Sequence, residues 1–462
     1  MFDPFRAVKP RAAAGFVLAA LSAAFFAAPP LAASDGSPLA QGIAAFDQGG
    51  SLNDTARAVA VQPDGKIVLA GTVATGAGTW ALGLARFLPS GALDPGFGLG
   101  GRVVNPFGVG HNLAGAALTL LADGRILVAG TMDWGAGDQD FYVGRLLASG
   151  SPDTTFAGGA GGLAVPFDLG GDATDTLAAM TVDRSGRILL AGSVDVSPTD
   201  TDFGVARLTA NGALDPAFSG NGKATVPVST ATDLGLALAW HTSGIVVAGA
   251  AWTTAQGGHF NLALARLLAD GSLDTSFGPG GTVIVGMGAG GSNNEFAWAV
   301  GVWPDGEIVA AGDIATGVNS WMWLLERFSP SGDFLGGITG AFCSAGTPPC
   351  PVAPQDSPRA LLLEGDGKIL FAGFGPGPAG SVDFGVGRYT RGLAPDLGFG
   401  VNGTTTYDFN RGPGADADAG MAMTFDRDGR IVVAGSAEWS GLDTDFAWVR
   451  LDNDYIFANG FE

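Results

Sequence analysis

The segment VQPDGKIVLAG at Val61–Gly71 is the clearest structural signal in the chain. It places Asp64 and Gly65 between two apolar runs, and Asp-Gly in that setting is a strong signal for a β-hairpin. The phrase recurs as LLADGRILVAG, VDRSGRILLAG, WHTSGIVVAG, VWPDGEIVAAG, LEGDGKILFAG and FDRDGRIVVAG. Its turn glycines are about 60 residues apart: Gly65, Gly124, Gly186, Gly244, Gly306, Gly367 and Gly429. Seven copies at a near-constant period predict a repeat architecture.

Two further markers keep the same phase. An arginine follows each turn, namely Arg86, Arg145, Arg207, Arg266, Arg327, Arg388 and Arg450. An Asp-x-x-Phe element lies between most repeats: Asp94/Phe97, Asp153/Phe156, Asp215/Phe218, Asp274/Phe277 and Asp396/Phe399. Seven arginines at one phase predict structural hydrogen bonds made once per repeat rather than catalysis. The Asp is expected to cap a turn and the Phe to be buried between repeats.

One period accommodates four strands. In the second repeat they are GRVVNPF at 101–107, AGAALTLL at 114–121, RILVAGT at 125–131 and FYVGRLL at 141–147, which we label A to D. Four antiparallel strands in a unit of this length, repeated seven times, predict an all-β, seven-bladed β-propeller. A β-helix has much shorter coils, and two packed sandwiches would not explain seven equal periods.

The two ends of the repeat region predict how the ring closes. The region begins with an A-type strand, GIAAFD at 42–47, and ends with a D-type strand, FAWVRLD at 446–452. If strand B is innermost and strand A outermost, the first strand completes the last blade and leaves no sheet edge where the ends meet. Phe46 should then lie beside strand D near Phe446.

Composition excludes several classes of protein. The 462 residues include 77 glycines and 26 prolines, yet 47% are hydrophobic and only 15% charged. A chain this apolar can bury a core, which argues against disorder. Glycine is costly inside helices, which argues against a mostly helical protein. The formal net charge of −21 argues against nucleic acid or an anionic membrane surface as a partner.

The first 33 residues have the parts of a secretory signal peptide. Arg6, Lys9 and Arg11 precede an apolar run at 12–28, and small residues follow. Cleavage after Ala33 or Ser34 would fit, and an uncleaved membrane anchor is the alternative. We therefore expect a secreted, cell-surface or periplasmic protein. Its seven-repeat domain would span 40–452, with a short tail at 453–462 and no other transmembrane span.

Two cysteines and three histidines limit the chemistry. Cys343 and Cys350 flank the short segment CSAGTPPC, and in a secreted protein this spacing favours a disulfide over two free thiols. His111, His241 and His259 share no motif, so neither a zinc site nor a Ser/His/Asp triad is indicated.

The repeat resembles a bacterial family, the delta-60 repeat proteins. The first repeat carries QPDGKI at 62–67, Ala-Gly at 70–71, Arg86 and LDPGFG at 93–98, and the resemblance extends over about 40–452. The fourth repeat differs from the family pattern, because it has Thr242, Ser243 and Gly244 at the turn. The junction between the fifth and sixth repeats also differs from that pattern. The resemblance implies a secreted or surface-associated, propeller-like protein, and it implies no particular activity.

Candidate functional residues are those that break the repeat. Strand direction places the C–D loops and A–B connections on one variable face, and variable loops on a rigid scaffold are where binding is expected. Trp134, Trp252 and Trp439 lie in these loops and suit contacts with a sugar or a protein, packing between blades being the alternative. The acid pairs Asp138/Asp140, Asp200/Asp202 and Asp443/Asp445 are calcium candidates, with a solvated acidic rim as the alternative.

Taken together, these patterns favour a non-enzymatic, monomeric binding scaffold that recognises a protein or a glycan. No catalytic residue and no cofactor beyond calcium is indicated. One alternative is a propeller glycosidase or lyase with carboxylates at the channel mouth. The other is a purely structural surface protein.

Overall fold

A computed structural model of the chain describes residues 39–46, 53–169, 174–254, 258–287, 293–317, 320–342, 355–377, 381–409, 411, 417–439 and 443–453. Regular structure within these ranges is β-strand, apart from one short 3-10 segment at Ala157–Gly159. No helix in the described ranges has the length and apolar character to span a membrane. The predicted signal peptide, both cysteines and the tail beyond residue 453 lie outside the described residues.

The strands follow one another in chain order. The first nine are β1 (Ala40–Ala44), β2 (Asp54–Val61), β3 (Ile67–Gly76), β4 (Thr79–Phe87), β5 (Arg102–Val104), β6 (Asn112–Leu120), β7 (Ile126–Gly135), β8 (Asp138–Leu146) and β9 (Gly162–Val165). The next eight are β10 (Thr176–Val182), β11 (Ile188–Ser197), β12 (Asp200–Leu208), β13 (Lys223–Val226), β14 (Asp233–His241), β15 (Gly244–Thr253), β16 (His259–Leu267) and β17 (Thr282–Val285). The remaining ones are β18 (Glu295–Val302), β19 (Ile308–Gly317), β20 (Ser320–Phe328), β21 (Phe334–Gly340), β22 (Ser357–Leu363), β23 (Lys368–Pro376), β24 (Val382–Thr390), β25 (Thr404–Tyr407), β26 (Ala419–Phe425), β27 (Ile431–Glu438) and β28 (Thr444–Leu451).

These strands form seven four-stranded antiparallel sheets, which are the blades of a β-propeller. Six blades each use four consecutive strands, beginning with β2–β5 and ending with β22–β25. The seventh has the order β1-β28-β27-β26, so the first strand completes the last blade. The strands that begin the blades contact one another around the ring, including β2 with β26. The predicted seven-bladed fold is therefore confirmed.

The closure of the ring follows the predicted pairing. In the register of β1 with β28, Ala44 lies opposite Phe446 and Ala40 opposite Arg450. The rings of Phe46 and Phe446 meet edge to face with centroids 4.8 Å apart. Outer strands are shorter than the sequence predicts, since the strand expected at 101–107 spans only Arg102–Val104.

In the second blade, strands C and D are joined by a two-residue turn instead of the predicted longer loop. Strands β7 and β8 are joined by Ala136 and Gly137 alone, with φ of 58° and 88°. Positive φ at both central residues is the type I′ geometry, which matches the twist of the flanking strands. As a result, Trp134 and the pair Asp138/Asp140 lie within strands rather than in a loop, contrary to the prediction.

Each junction between neighbouring blades contains one hydrophobic cluster, and there are seven clusters among the described residues. Strand C, the third strand of each repeat, is covered on both sides. In β7, for example, the residues from Ile126 to Met132 are all buried. The Asp-x-x-Phe rings are buried as predicted: Phe97, Phe156, Phe218, Phe277 and Phe399 are at most 2% exposed. The core is therefore distributed around the ring instead of lying at its centre.

The repeated arginines tie each blade to the next. Their Nε atoms donate to a carboxylate 2.7–2.8 Å away in the pairs Arg86–Asp94, Arg145–Asp153, Arg207–Asp215, Arg266–Asp274 and Arg388–Asp396. Their Nη1 atoms donate to backbone carbonyl oxygens further along the chain, at Ala148, Ala210, Ala269, Pro330 and Asn453. Without an Asp-x-x-Phe element, Arg327 bonds Glu307 instead. At the ring closure, Arg450 Nη1 donates to Pro89 O at 3.4 Å.

Ion pairs and hydrogen bonds also define the two faces of the ring. The B–C turns meet the D–A junctions on one face, where Lys66 Nζ lies 3.3 Å from Asp94 and Arg125 Nη1 lies 3.2 Å from Asp153. On the opposite face, Thr174 Oγ1 in an A–B connection donates to Gly137 O in a C–D turn at 2.8 Å. The predicted variable face is thus the one formed by C–D turns and A–B connections.

Candidate functional site

A β-bulge interrupts the first strand of every blade. In the pairing of β2 with β3, for example, the register skips Arg57 between Ala56 and Ala58. The same shift occurs in the other six blades. The extra residue of a bulge is left out of the hydrogen-bonded ladder, which changes the direction of its side chain. The seven bulged residues are Arg57, Ala116, Ala178, Leu236, Trp298, Arg359 and Met421, and all of them line one 550 Å³ cavity at the channel mouth.

The bulge explains the Ala-Gly that ends the repeated phrase. A Cβ on Gly71 would overlap the carbonyl oxygen of Thr55, and one on Gly312 would overlap that of Phe296. Equivalent overlaps occur at the phrase glycines of the other blades: Gly130, Gly192, Gly249, Gly373 and Gly435. The glycine is therefore fixed by the repeat, whereas the bulged residue opposite it differs from blade to blade.

Two of the seven bulged residues are arginines. The Arg359 guanidinium lies over the Trp298 ring, 3.7 Å from its centroid, and 5.5 Å from the centroid of Phe374. In the described part of the chain, neither the Arg57 nor the Arg359 side chain has a hydrogen bond or an ion pair. Burial lowers the pKa of Arg359 to about 10, with Asp313 acting to raise it and the charge of Arg57 to lower it further. The pKa of Arg57 is also lowered by the surrounding channel wall.

A cleft of 600 Å³ adjoins the channel mouth between the fifth and sixth blades. Trp298 and Arg359 line both cavities, so the cleft continues into the channel. Its other aromatic walls are Phe296, Trp321 and Phe374. Asn294, Gln355, Asp356, Ser357 and Asp313 add polar groups to the lining. A cleft that combines aromatic walls with convergent polar groups is a common form of a small-molecule site.

A belt of aromatic rings leads into this cleft across the fourth and fifth blades. The centroids of Trp252 and Phe260 are 5.1 Å apart, and those of Phe260 and Phe296 are 5.4 Å apart. Phe296 then stacks on Trp298 at 5.6 Å and contacts Trp321 at 6.0 Å. Trp252, one of the three tryptophans that the sequence suggests for ligand binding, therefore lies at one end of a continuous aromatic surface.

Two carboxyl groups in the cleft are nearly inaccessible to solvent. Asp313 accepts hydrogen bonds from Trp298 Nε1 at 2.7 Å and from the Ser357 hydroxyl, and burial raises its pKa. Asp356 accepts the amide of Phe342 at 2.7 Å, and burial raises its pKa to about 8. Asp313 replaces the Thr or Ser found at the same position in four other blades, so it breaks the repeat.

Asp356, in contrast, belongs to a repeated set of acids that the sequence analysis missed. Six blades carry an acid two residues before the first residue of the bulge: Asp54, Asp175, Asp233, Glu295, Asp356 and Asp418. Each accepts a backbone amide from the preceding A–B connection, at Phe46, Phe167, Val228, Met287, Phe342 and Phe409. These acids hold the connections onto the sheet, and their position before a B strand was the available signal.

The three sequence-predicted tryptophans lie in the second, fourth and seventh blades, and the structure does not bring them together. Trp134 is 40% exposed, donates from Nε1 to Asp140 at 2.7 Å and contacts His111. Trp439 is 50% exposed and lies under the Arg411 guanidinium. Trp252 is half-buried.

The acid pairs have structural partners. Asp140 and Asp445 are buried and bond Trp134 and Arg411, respectively, the latter at 2.6 Å. Burial and the charges of Asp200 and Asp233 raise the pKa of Asp202 to about 6. The described residues contain no group of three or more His, Cys, Asp or Glu side chains placed to hold a metal ion. Asp138, Asp200 and Asp443 are the other members of these pairs, and a calcium role remains a prediction for them.

Comparison with known proteins agrees with the observed repeat. A family model described as "Domain of unknown function (DUF5122) beta-propeller" matches residues 62–97, 121–156, 184–218 and 244–277. Each segment runs from the region of the hairpin turn to the phenylalanine of Asp-x-x-Phe, in the first four blades. The chain is therefore a β-propeller repeat protein. No curated protein sequence matches it.

Solved structures resemble it weakly. A protein of unknown function from Dyadobacter fermentans is 13% identical with a TM-score of 0.46, over 90% of this chain and 98% of that chain. A puromycin hydrolase is 15% identical with a TM-score of 0.45, over 84% of this chain and 50% of that chain. A glucose dehydrogenase is 10% identical with a TM-score of 0.39, over 89% of this chain and 98% of that chain. None of these similarities bears on the ligand or the reaction of this chain.

Proposed function

We propose that this chain is a non-enzymatic binding propeller, secreted or surface-associated and of the delta-60 type, that recognises a glycan on its variable face. The observation that carries the proposal is the aromatic belt from Trp252 to Trp321, which ends in a cleft with polar groups. Pyranose rings present an apolar face to aromatic side chains, while amides such as Gln355 can bond their hydroxyls. A calcium requirement is not part of the proposal.

The test is a binding screen of the full chain against immobilised neutral and acidic glycans. Tryptophan fluorescence is the second readout, because Trp298 and Trp321 both line the cleft. Replacing a large aromatic anchor at a binding site by alanine costs about 1.4 kcal/mol or more, which is roughly a tenfold loss of affinity. Trp321→Ala should therefore weaken binding at least tenfold.

Trp439→Ala is the matched control, because it also removes one tryptophan from the variable face but lies in the seventh blade. Its affinity should equal that of the unmodified chain within a factor of two. Loss of binding in Trp439→Ala but not in Trp321→Ala would move the site away from the cleft. Absence of binding to every glycan would overturn the proposal and favour a structural surface protein.

A glycosidase or lyase is the second candidate, because Asp313 and Asp356 line the same cleft and both have raised pKa values. Asp356 nevertheless has the amide-accepting role of its counterparts in the other blades, which favours binding over catalysis. Release of reducing ends or unsaturated sugars from any glycan, abolished by Asp313→Asn, would establish the enzyme instead.

Secretion is the remaining part of the proposal and is tested separately. Expressed with its first 33 residues in a bacterial host, the chain should leave the cytoplasm. N-terminal sequencing of the exported protein should begin at Ser34 or Asp35, as the small residues before those positions predict. Recovery of the intact N-terminus in the membrane fraction would indicate an anchor instead.

A further inference from the structure

We infer that the glycan bound in the cleft is acidic, and that Arg57 and Arg359 bind its oxyanion at the channel mouth. This inference rests on the proposed function, because it specifies the chemistry of the same ligand. The group it names is an oxyanion on a sugar ring, either the carboxylate of a uronic acid or a sulfate ester.

Two positive charges lie at the channel mouth of an otherwise acidic protein. The chain has a net charge of −21, yet two of its 23 Lys and Arg residues lie at the bulges of the channel mouth. At the five other bulges the residues are uncharged, so the repeat itself requires no cation there. A position that varies on a fixed scaffold is where a specific ligand is recognised.

Neither guanidinium group uses its donors for a contact within the described part of the ring. The seven repeated arginines of the ring, in contrast, each bond a carboxylate or a carbonyl oxygen, as Arg145 bonds Asp153 at 2.7 Å. Within the described residues, Arg57 and Arg359 bond neither, and Arg359 Nε is buried without a partner. The buried Nε of Arg359 without a partner is costly. Arg57 is open to the channel, where an oxyanion can accept paired hydrogen bonds from a guanidinium.

The Arg359 guanidinium is held in a preorganised position by its aromatic neighbours. Trp298 lies 3.7 Å from the Arg359 guanidinium carbon and Phe374 lies 5.5 Å away, so the aromatic faces hold the group in place. Stacking occupies the flat face of a guanidinium and leaves its N–H edge available for a planar carboxylate or a sulfate. Because less side-chain freedom is lost on binding, the affinity gained per hydrogen bond is greater.

The charges around the channel mouth also favour an anion between the two arginines. Arg57 and Arg359 repel each other, as the effect of Arg57 on the Arg359 pKa indicates. A bound anion between them would turn this repulsion into two attractions. The carboxylate of Asp133 also lines the channel cavity, where its Oδ1 accepts the Gly135 amide at 2.8 Å. The carboxylate of Asp313 accepts hydrogen bonds from Trp298 Nε1 at 2.7 Å and from the Ser357 hydroxyl, which offset part of its repulsion of an incoming anion.

The channel cavity is continuous with the aromatic cleft. Trp298 and Arg359 line both the cleft and the channel cavity, so one oligosaccharide can contact the two at once. A sugar ring against Trp321 or Phe374 would place its substituents toward Arg359. A free inorganic anion would use only the channel part, and its affinity should be correspondingly lower.

The experiment compares each acidic glycan with its neutral derivative, using the full chain and titration calorimetry. Oligogalacturonate is paired with its methyl ester, and a sulfated galactan oligosaccharide with its desulfated form. The acidic member of at least one pair should bind at least tenfold more tightly than its neutral counterpart. The two pairs distinguish a carboxylate from a sulfate. Raising the salt concentration should weaken acidic binding more than neutral binding.

Three single variants locate the site. Arg57→Gln and Arg359→Gln should each weaken acidic binding roughly tenfold or more. Arg57 lines the channel cavity and not the aromatic cleft, so Arg57→Gln should also leave neutral binding within twofold. Arg427→Gln is the control, because it removes the same charge from an exposed B–C turn on the opposite face. Arg57 is open to the channel, so its substitution should leave the fold intact and makes the test independent of Arg359.

The possible failures are distinct. Equal binding of both members of every pair would overturn this inference while leaving the glycan proposal standing. Binding of no glycan at all would overturn both. Acidic preference that survives the double variant Arg57→Gln/Arg359→Gln would show that another part of the surface carries it, which would also overturn the assignment.

Discussion

Arg145→Met is expected to lower the free energy of unfolding by about 3 kcal/mol. Arg145 is 2% exposed, and it donates to Asp153 at 2.7 Å, to Ala210 O at 2.7 Å and to Thr155 Oγ1 at 3.0 Å. Breaking a buried ion pair by removing one partner costs about 3–5 kcal/mol, because the other charge stays buried. Asp153 retains Arg125 Nη1 at 3.2 Å and the Thr155 hydroxyl, which places the cost at the lower end.

Urea unfolding of the full chain measures this loss, with Arg125→Met as the matched control. Arg125 also pairs with Asp153, but its side chain is 33% exposed, so its removal should cost less than about 1 kcal/mol. Both variants remove one positive charge, which separates the buried contact from a change in net charge. Equal losses in the two variants would refute the view that the repeated arginine stabilises the junction between blades.

The pH dependence provides an independent check of the same contact. Burial acts to raise the pKa of Asp153, but hydrogen bonds from Thr155, Arg125 and Arg145 outweigh it and hold that pKa well below its usual range. A carboxyl with a lowered folded-state pKa stabilises the fold above its unfolded pKa of about 3.9, and this stability is lost in more acidic solution. The difference between the unmodified chain and Arg145→Met should therefore be greatest near neutral pH and diminish in acid.

Two further predictions concern an unusual buried acid and the ring closure. Burial raises the pKa of Glu326 well above its usual value and the charge of Glu295 raises it further, so folding favours the protonated form. Glu326→Gln should stabilise the chain at pH 7 by about 1–3 kcal/mol and have little effect below pH ~4, and a constant difference in melts from pH 3.5 to 8 would contradict this. Phe46→Ala should cost about 2 kcal/mol, since Phe46 is half-buried against Phe446, and should speed hydrogen exchange in β1. The exposed Phe334→Ala is its control, and equal exchange in the two variants would contradict the closure.

The position of Glu326 illustrates how a repeat tolerates exceptions. Other blades have Ala, Gly or Val immediately before the repeated arginine, which suits a packed strand. In the fifth blade the residue there is Glu326, which is fully buried, and both of its carboxyl oxygens have no hydrogen-bond partner among the described residues. The same blade lacks Asp-x-x-Phe and contributes the aromatic cleft. The fifth blade therefore departs from the repeat at several positions.

Much of the fold could be predicted because its determinants are local and repeated. Gly65 has φ of 82° in the hairpin turn, a conformation that favours glycine, so the turn phrase marks every blade. The arginine and Asp-x-x-Phe markers likewise lie within one period of each other, and their phase is visible without a structure. The A-type start and D-type end at 42–47 and 446–452 were sufficient to predict the closing pair.

The bulge ring could be predicted only in part. The phrase glycine at Gly71 marks a place where the backbone needs room, but not which way the opposite strand turns. A shift of one residue in the register moves a side chain from one face of a strand to the other, so Arg57 and Arg359 could not be assigned to the channel from their sequence positions alone.

The number of blades, the hairpin in each blade and the strand that closes the ring follow from the amino-acid sequence, because each depends on residues near one another in the chain or on a regular period. That Trp252, Phe296, Trp321 and Arg359 form one surface follows only from the packing of the blades. They come from three different blades, and their contacts arise from the wedge packing of neighbouring sheets and from a bulge that turns one side chain per blade toward the channel. Such contacts join positions that no local pattern relates.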